Sequence, residues 1–143
     1  MGGFIKLRIV GEGLDIQRVS DKLGRAPDFS YKKGDIYFNK ITKSKTVYQE
    51  NCWMAEAEKK EHETLDECVE VFILGFFRTA KQLKEISEKF SSTFWISAYP
   101  ENEQSTIHLS KKVIFALGEM GVPVDFTVAF LKDFYDGSYM DKV

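Results

Sequence analysis

The densest collection of proton-handling and hard-ligand groups in the chain is Glu56, Glu58, Glu61, His62 and Glu63. Carboxylates beside an imidazole could serve general acid–base chemistry or contribute ligands to a cation. A single histidine does not define a metal site, because coordination needs ligands converging from several positions. A solvated connection ahead of a helix is polar in any case, and that is the simpler account of this stretch. His108, beside Leu109, reads as a strand-end histidine facing solvent or bonded locally. Cys52 adjoins Trp53 and Met54, and Cys68 falls on an apolar helical stripe. Both read as buried thiols, since neither has a sequence-local histidine or helix N-terminus to lower its pKa. No metal and no cofactor is implied.

Gly11-Glu12-Gly13 lies between a strand and a helix, where a dinucleotide-binding glycine loop would stand. The third glycine of that fingerprint is replaced by Ile16, and Glu12 would face the pyrophosphate, so the match fails. No Walker loop, GxSxG elbow, HExxH or CxxC occurs, which removes the chemistries that announce themselves by spacing. Aromatic residues give the stronger signal. Trp53 and Trp95 both fall on predicted strands, and Trp95 lies between Phe94 and Ile96, so both faces of its strand are bulky. Either the sheet is covered on both sides, or an edge is protected by the tail, or one face is an aromatic binding surface, which Tyr31, Tyr37, Tyr48 and Tyr99 would extend. Lys40, Lys43 and Lys45 form a basic cluster at a hairpin tip, where solvated turns commonly carry lysine. Lys33-Gly34-Asp35-Ile36-Tyr37-Phe38 does not supply the aromatic motif of an RNA-binding sheet.

The elements that would position these residues follow from periodicity and punctuation. Residues 4–10 alternate, with Ile5, Leu7 and Ile9 on one face against Lys6 and Arg8 on the other, the mark of a half-buried strand. Asp15 opens a short helix through Ile16, Val19 and Leu23, which Gly24 ends before Pro27. Residues 36–41 and 46–57 read as two strands of a hairpin around Lys43-Ser44-Lys45. Thr64-Leu65-Asp66-Glu67 is a capping box, and Leu65, Cys68, Val69, Phe72, Phe76, Ala80, Leu83, Ile86 and Phe90 continue one helical stripe to about Lys89, with a bend near Gly75. Residues 94–99 and 106–109 read as a second hairpin around Pro100-Glu101-Asn102-Glu103. Ser110 caps a helix ended by Gly121, and Val124, Phe126, Val128 and Phe130 alternate in a last strand.

The expected order is β-α-β-β-α-β-β-α-β. Strands adjacent in pairs argue for an α+β fold, a largely antiparallel sheet of about six strands packed with two or three helices. The run from Leu14-Asp15 through Gly24 to Pro27 echoes Leu109-Ser110 through Gly121 to Pro123, an echo that shared helix punctuation also produces. At 143 residues the chain is expected to be one domain, with a core over about 4–131 and a charged tail over 132–143 carrying Phe134, Tyr135 and Tyr139. Twelve phenylalanines, six tyrosines and two tryptophans supply ample core material. Twenty basic against twenty-two acidic residues, a formal charge of −2, argues against a general binder of nucleic-acid backbone. Lys6 and Arg8 interrupt any signal-peptide core, and Lys6 stands where myristoylation needs Ser or Thr. The longest uncharged apolar run, residues 71–77, is far short of a membrane span. Two widely spaced cysteines read as reduced, so a cytoplasmic location is expected, with neither a nucleic acid nor a membrane as partner.

Taken together, Leu23-Gly24, Pro27, Gly34-Asp35, Trp53, the long helix from Leu65, Leu109-Ser110, Leu117-Gly118, Met120-Gly121 and Val124-Asp125-Phe126 resemble the bacterial domain of unknown function numbered 4279. The resemblance spans about residues 4–131. The stretch between Gly34 and Trp53 is long for the family, and Met54-Ala55-Glu56 replaces the small or acidic residues that usually follow its tryptophan. The resemblance brings no catalytic residues with it. It implies a role of the kind suspected for members, that of an immunity protein against a toxin.

Two functions of different classes are consistent with these residues. One is a non-catalytic protein-binding module, of immunity type, using Trp53, Trp95 and Tyr99. The other is a small-ligand sensor or enzyme with a pocket between sheet and helices, in which Glu56, Glu58, His62 and Glu63 converge. The excess of aromatics and the lack of a catalytic signature favour the first.

Overall fold

The structure is a computed structural model that describes residues 1–102 and 104–129. Strand β1 (Gly2–Gly11) is followed by helix α1 (Ile16–Leu23), strands β2 (Phe29–Tyr31), β3 (Ile36–Phe38), β4 (Lys45–Val47) and β5 (Asn51–Glu58) and helix α2 (Leu65–Leu74). A 3-10 turn (Phe77–Thr79), helix α3 (Ala80–Lys89), strand β6 (Ser91–Tyr99), helix α4 (Lys111–Met120) and strand β7 (Val124–Val128) complete it. The class is α+β. Among the described residues the main sheet has five strands in the order β2-β5-β1-β6-β7, and β3 and β4 form a separate two-stranded ribbon. All pairings in the main sheet are antiparallel except β6 with β7.

Alternation in β1 decides the layering. Ile5, Leu7 and Ile9 are fully buried and stand opposite Ala57, Ala55 and Trp53 of β5. Across the other edge Leu7 faces Phe94 and Ile5 faces Ile96 of β6. Directly opposed residues of paired strands share a face, so these side chains form one apolar surface. Val19, Leu23, Leu65, Val69, Phe72, Ile73, Leu83, Ile86, Val113, Ala116 and Met120 from the helices, with Leu14 from the connection ahead of α1, close over it in a single core cluster.

The helix ends follow local chemistry. Asp15, Thr64 and Ser110 each accept a bond from the backbone N–H three residues on, at 3.0, 3.1 and 3.3 Å. Gly24 and Gly121, at φ of 66° and 63°, take the left-handed conformation that ends α1 and α4. Units β1-α1-β2 and β6-α4-β7 are thus punctuated alike and carry the chain to opposite sheet edges. They differ in that β5 separates β1 from β2, whereas β7 lies directly beside β6.

Four elements differ from the sequence expectation. The single helix expected from Leu65 to Lys89 is divided: the Phe76 N–H bonds Ile73 O, and Phe76 turns inward, its ring 5.3 Å from Phe72 and 6.0 Å from Phe94. The second hairpin does not form, and residues 106–109 are not a strand. Both edges of β6 are already occupied, by β1 and β7, so a returning strand has nothing to pair with; Ile107 and Leu109 pack partly on the core instead. The strand expected over 46–57 breaks at residues 48–50, so β4 stays with β3 and β5 joins the main sheet. The short edge strand β2 has no counterpart among the expected strands. Phe130 and the tail 132–143 lie outside the described residues.

Close approach of β1 to β6 restricts the chain at Gly3. A Cβ there would collide with the Ser97 carbonyl oxygen and lie 3.0 Å from two Leu65 methyl groups, whereas at Gly2 the nearest atom is 4.0 Å away. Gly3→Ala is therefore expected to cost about 1–3 kcal/mol in urea denaturation. Gly2→Ala should leave the midpoint nearly unchanged, and equal effects at the two positions would contradict this packing.

Candidate functional site

The face of the main sheet opposite the helices carries the residues between those of the core. From β1 come Phe4, Lys6 and Arg8; from β5 Met54, Glu56 and Glu58; from β6 Thr93, Trp95, Ser97 and Tyr99. Three aromatic rings gather at one end. Phe4 stands edge-on to Trp95 with centroids 6.0 Å apart and lies 6.1 Å from Tyr99. The Trp95 indole N–H donates to Oγ1 of Thr127 in β7 at 2.8 Å, which fixes the ring's orientation. Lys6 Nζ lies 4.8 Å from the centre of Phe4 and 5.7 Å from that of Trp95, within range of cation–π attraction. Its charge also meets Glu56 at 3.6 Å. Phe4, Lys6, Trp95 and Tyr99 are half-buried, and Glu56 and Glu58 are exposed.

At the other end of the face, Tyr31 lies flat on Tyr48, with centroids 3.6 Å apart and planes 11° from parallel, and Tyr37 approaches Tyr48 at 6.2 Å. This stack ties the β3-β4 ribbon to the sheet. Arg8 Nη2 donates to the Tyr31 hydroxyl at 3.4 Å. The ribbon itself leaves Ile36, Tyr37, Phe38, Ile41 and Val47 exposed.

Such a face offers apolar area, π surfaces and one partly sheltered ion pair. The sequence match agrees in extent with this fold: a family model described as Domain of unknown function (DUF4279) covers residues 3–131. The chain belongs to that family. No curated protein and no solved structure gives a significant match. In this DUF4279 chain the matched segment runs from the start of β1 past β7, so the aromatic face lies wholly within the family domain.

Of the residues singled out by sequence, Trp95, Tyr99, Glu56 and Glu58 come together on the open face. Trp53 does not join them: it is fully buried on the helix side, where its indole N–H donates to Ser20 Oγ at 3.0 Å. Its position opposite Ile9 puts it in the core. His62 is exposed in the turn between β5 and α2, and Glu63 there accepts from the Lys60 N–H at 2.9 Å. Glu58 and Glu63 border a hollow of about 260 Å³ beside α2, with Arg25, Lys60 and Phe72, but neither Glu56 nor His62 lines it. Among the described residues no group of three or more His, Cys, Asp or Glu is placed to hold a metal ion. No helix of the described residues is long and apolar enough to cross a membrane.

Phe4, Lys6 and Thr127 are the functional-face residues that sequence reasoning missed. Lys6 was legible only as the polar side of an alternating strand, and the Thr127 contact depends on β7 lying beside β6.

Burial raises the thiol pKa of both cysteines. At Cys52 the Tyr31 hydroxyl and the Arg8 charge oppose this, and at Cys68 the Glu63 carboxylate adds to it while Lys60 and Lys59 oppose it. Neither thiol is therefore primed as a nucleophile. A raised folded-state pKa means that above about pH 8.5 the folded chain holds protons the unfolded chain has released. The corresponding stability is present below that pH and lost as pH rises. Urea midpoints should fall on the alkaline side, and a Cys52→Ala, Cys68→Ala chain should fall less; parallel curves would remove the thiols from the account.

The Trp53 anchor is open to a similar check. Ser20→Ala leaves a buried indole N–H without its partner and should cost about 1–3 kcal/mol. Combined with Trp53→Phe, which deletes that N–H, Ser20→Ala should cost clearly less than alone, as read by a double-mutant cycle.

Proposed function

We propose that this chain is a non-catalytic protein-binding module whose open sheet face receives a protein partner, and that the partner is a toxin which the chain neutralises in the manner of an immunity protein. One observation carries the docking reading: Phe4, Trp95 and Tyr99 cluster around Lys6 and Glu56 on the sheet face that, among the described residues, no helix covers. Tryptophan and tyrosine dominate the binding energy of interfaces because they bury large rigid surfaces at little entropic cost. Trp95 is already oriented by Thr127, so a partner meets a ring whose freedom is largely spent. Lys6, held between two rings and a carboxylate, can complement an acidic group without first being desolvated alone. The finer reading, immunity against a toxin, draws support from a small domain with mildly acidic charge and abundant aromatics.

The test is capture of the tagged full chain and of Trp95→Ala and Tyr99→Ala variants from the cells that make it, followed by affinity measurement with the protein retained. Loss of a central aromatic should cost about 2 kcal/mol or more, roughly thirtyfold in Kd, with the unfolding midpoint shifted far less. Co-expression with the retained protein should relieve its toxicity, and Trp95→Ala should weaken that relief. A partner held equally by the wild type and both variants would place the interface elsewhere. A retained partner without toxicity would keep the module and remove the immunity role.

A further inference from the structure

Strand β7 pairs through only one of its edges among the described residues. Its parallel register with β6 runs from Phe94 opposite Val124 to Ala98 opposite Val128. Pro123 O accepts from the Phe94 N–H and the Ala129 N–H donates to Ala98 O, both at 3.0 Å. The odd-numbered residues thus turn their backbone groups toward β6, and the N–H and C=O of Val124, Phe126 and Val128 point outward. Phe126 and Val128 also leave 48% and 62% of their surface exposed.

The two edges of the main sheet are built differently. At the far edge β2 is only three residues long and leads into Lys32 and Lys33, devices that discourage strand addition. Within β7 there is neither lysine nor proline, and its one charge is Asp125.

Its sequence, Val-Asp-Phe-Thr-Val, has the same polarity pattern read in either direction about Phe126. We propose that β7 pairs antiparallel with β7 of a second copy, about a two-fold axis normal to the sheet and passing beside Phe126. In that register Phe126 faces Phe126 of the second copy and Val124 faces Val128, so every outward N–H and C=O of the strand gains a partner. The exposed apolar side chains of both copies meet on the helix side. Asp125 faces Thr127 of the second copy and not its own counterpart, so the pairing brings no like charges into direct opposition. A shift of the register by one residue loses these matches, which makes the palindrome the argument for a second copy over an unrelated strand.

Sedimentation of the full chain over a concentration series should show a monomer–dimer equilibrium. Phe126→Lys should shift it to monomer without lowering the unfolding midpoint of the monomer. Hydrogen-bonded antiparallel pairs hold their Cα atoms about 5.5 Å apart, within the span of a disulfide. Val124→Cys mixed with Val128→Cys should therefore cross-link under mild oxidation, while either variant alone should not. A chain that stays monomeric at every concentration, or cysteine variants that cross-link without regard to register, would overturn the proposal. Both readouts are made without any partner on the open face, so their failure is distinguishable from that of the capture experiment on Trp95.

Discussion

The fold depends on β1 being paired along both edges in a register that admits no slip. From Phe4 to Val10 each residue faces one partner in β5 and another in β6. Moving either neighbour by one residue would send its apolar set to the opposite face and leave Ile5, Leu7 and Ile9, now fully buried, against the wrong side chains. Burial of such a side chain is worth about 1.5–3 kcal/mol, so a slip that exposes several forfeits a large share of the stability of an ordinary domain. Gly3 belongs to the same constraint, because only a residue without a side chain lets β1 approach Ser97 and Leu65 so closely.

That register also decides what the molecule presents. Helices occupy the side of Ile5, Leu7 and Ile9, so Phe4, Lys6 and Arg8 are left on a face that no helix of the described residues covers. The partners that register places opposite them, Glu58, Glu56 and Met54 on one side and Trp95 and Thr93 on the other, share that face, on which Ser97, opposite Phe4, is buried. The aromatic face and the hydrophobic core are two consequences of a single alternation.

Legibility in the sequence follows from how local each signal is. The caps at Asp15, Thr64 and Ser110 and the stops at Gly24 and Gly121 involve atoms three or four residues apart, and they could be read directly. Trp53 was also within reach: Trp53, Ala55 and Ala57 alternate with Met54, Glu56 and Glu58, which marks the tryptophan as the core side of its strand. Trp95 was not, since Phe94, Ile96 and Ala98 and the intervening Trp95 and Tyr99 are bulky on both faces, and only pairing with β1 separates them. The second hairpin was misread for the same reason, as no local feature of residues 106–109 reveals that both edges of β6 are taken. The break after Leu74 needed the long-range contact of Phe76 with Phe94.

The open face and the β7 edge are coupled through one side chain. Thr127 belongs to β7, points to the open face and holds the Trp95 indole by its hydroxyl at 2.8 Å. An edge strand with free backbone groups frays more readily than a central one, so the orientation of Trp95 is only as firm as β7. A two-fold axis normal to the sheet would leave both open faces on the same side and unobstructed by the pairing. Any strand that pairs with the outer edge of β7 would then stiffen Thr127 and with it the aromatic cluster, lowering the ordering cost that a partner of Phe4, Trp95 and Tyr99 must meet. Edge pairing and face binding would in that case favour each other without sharing a contact, by the reciprocity that governs any two linked sites.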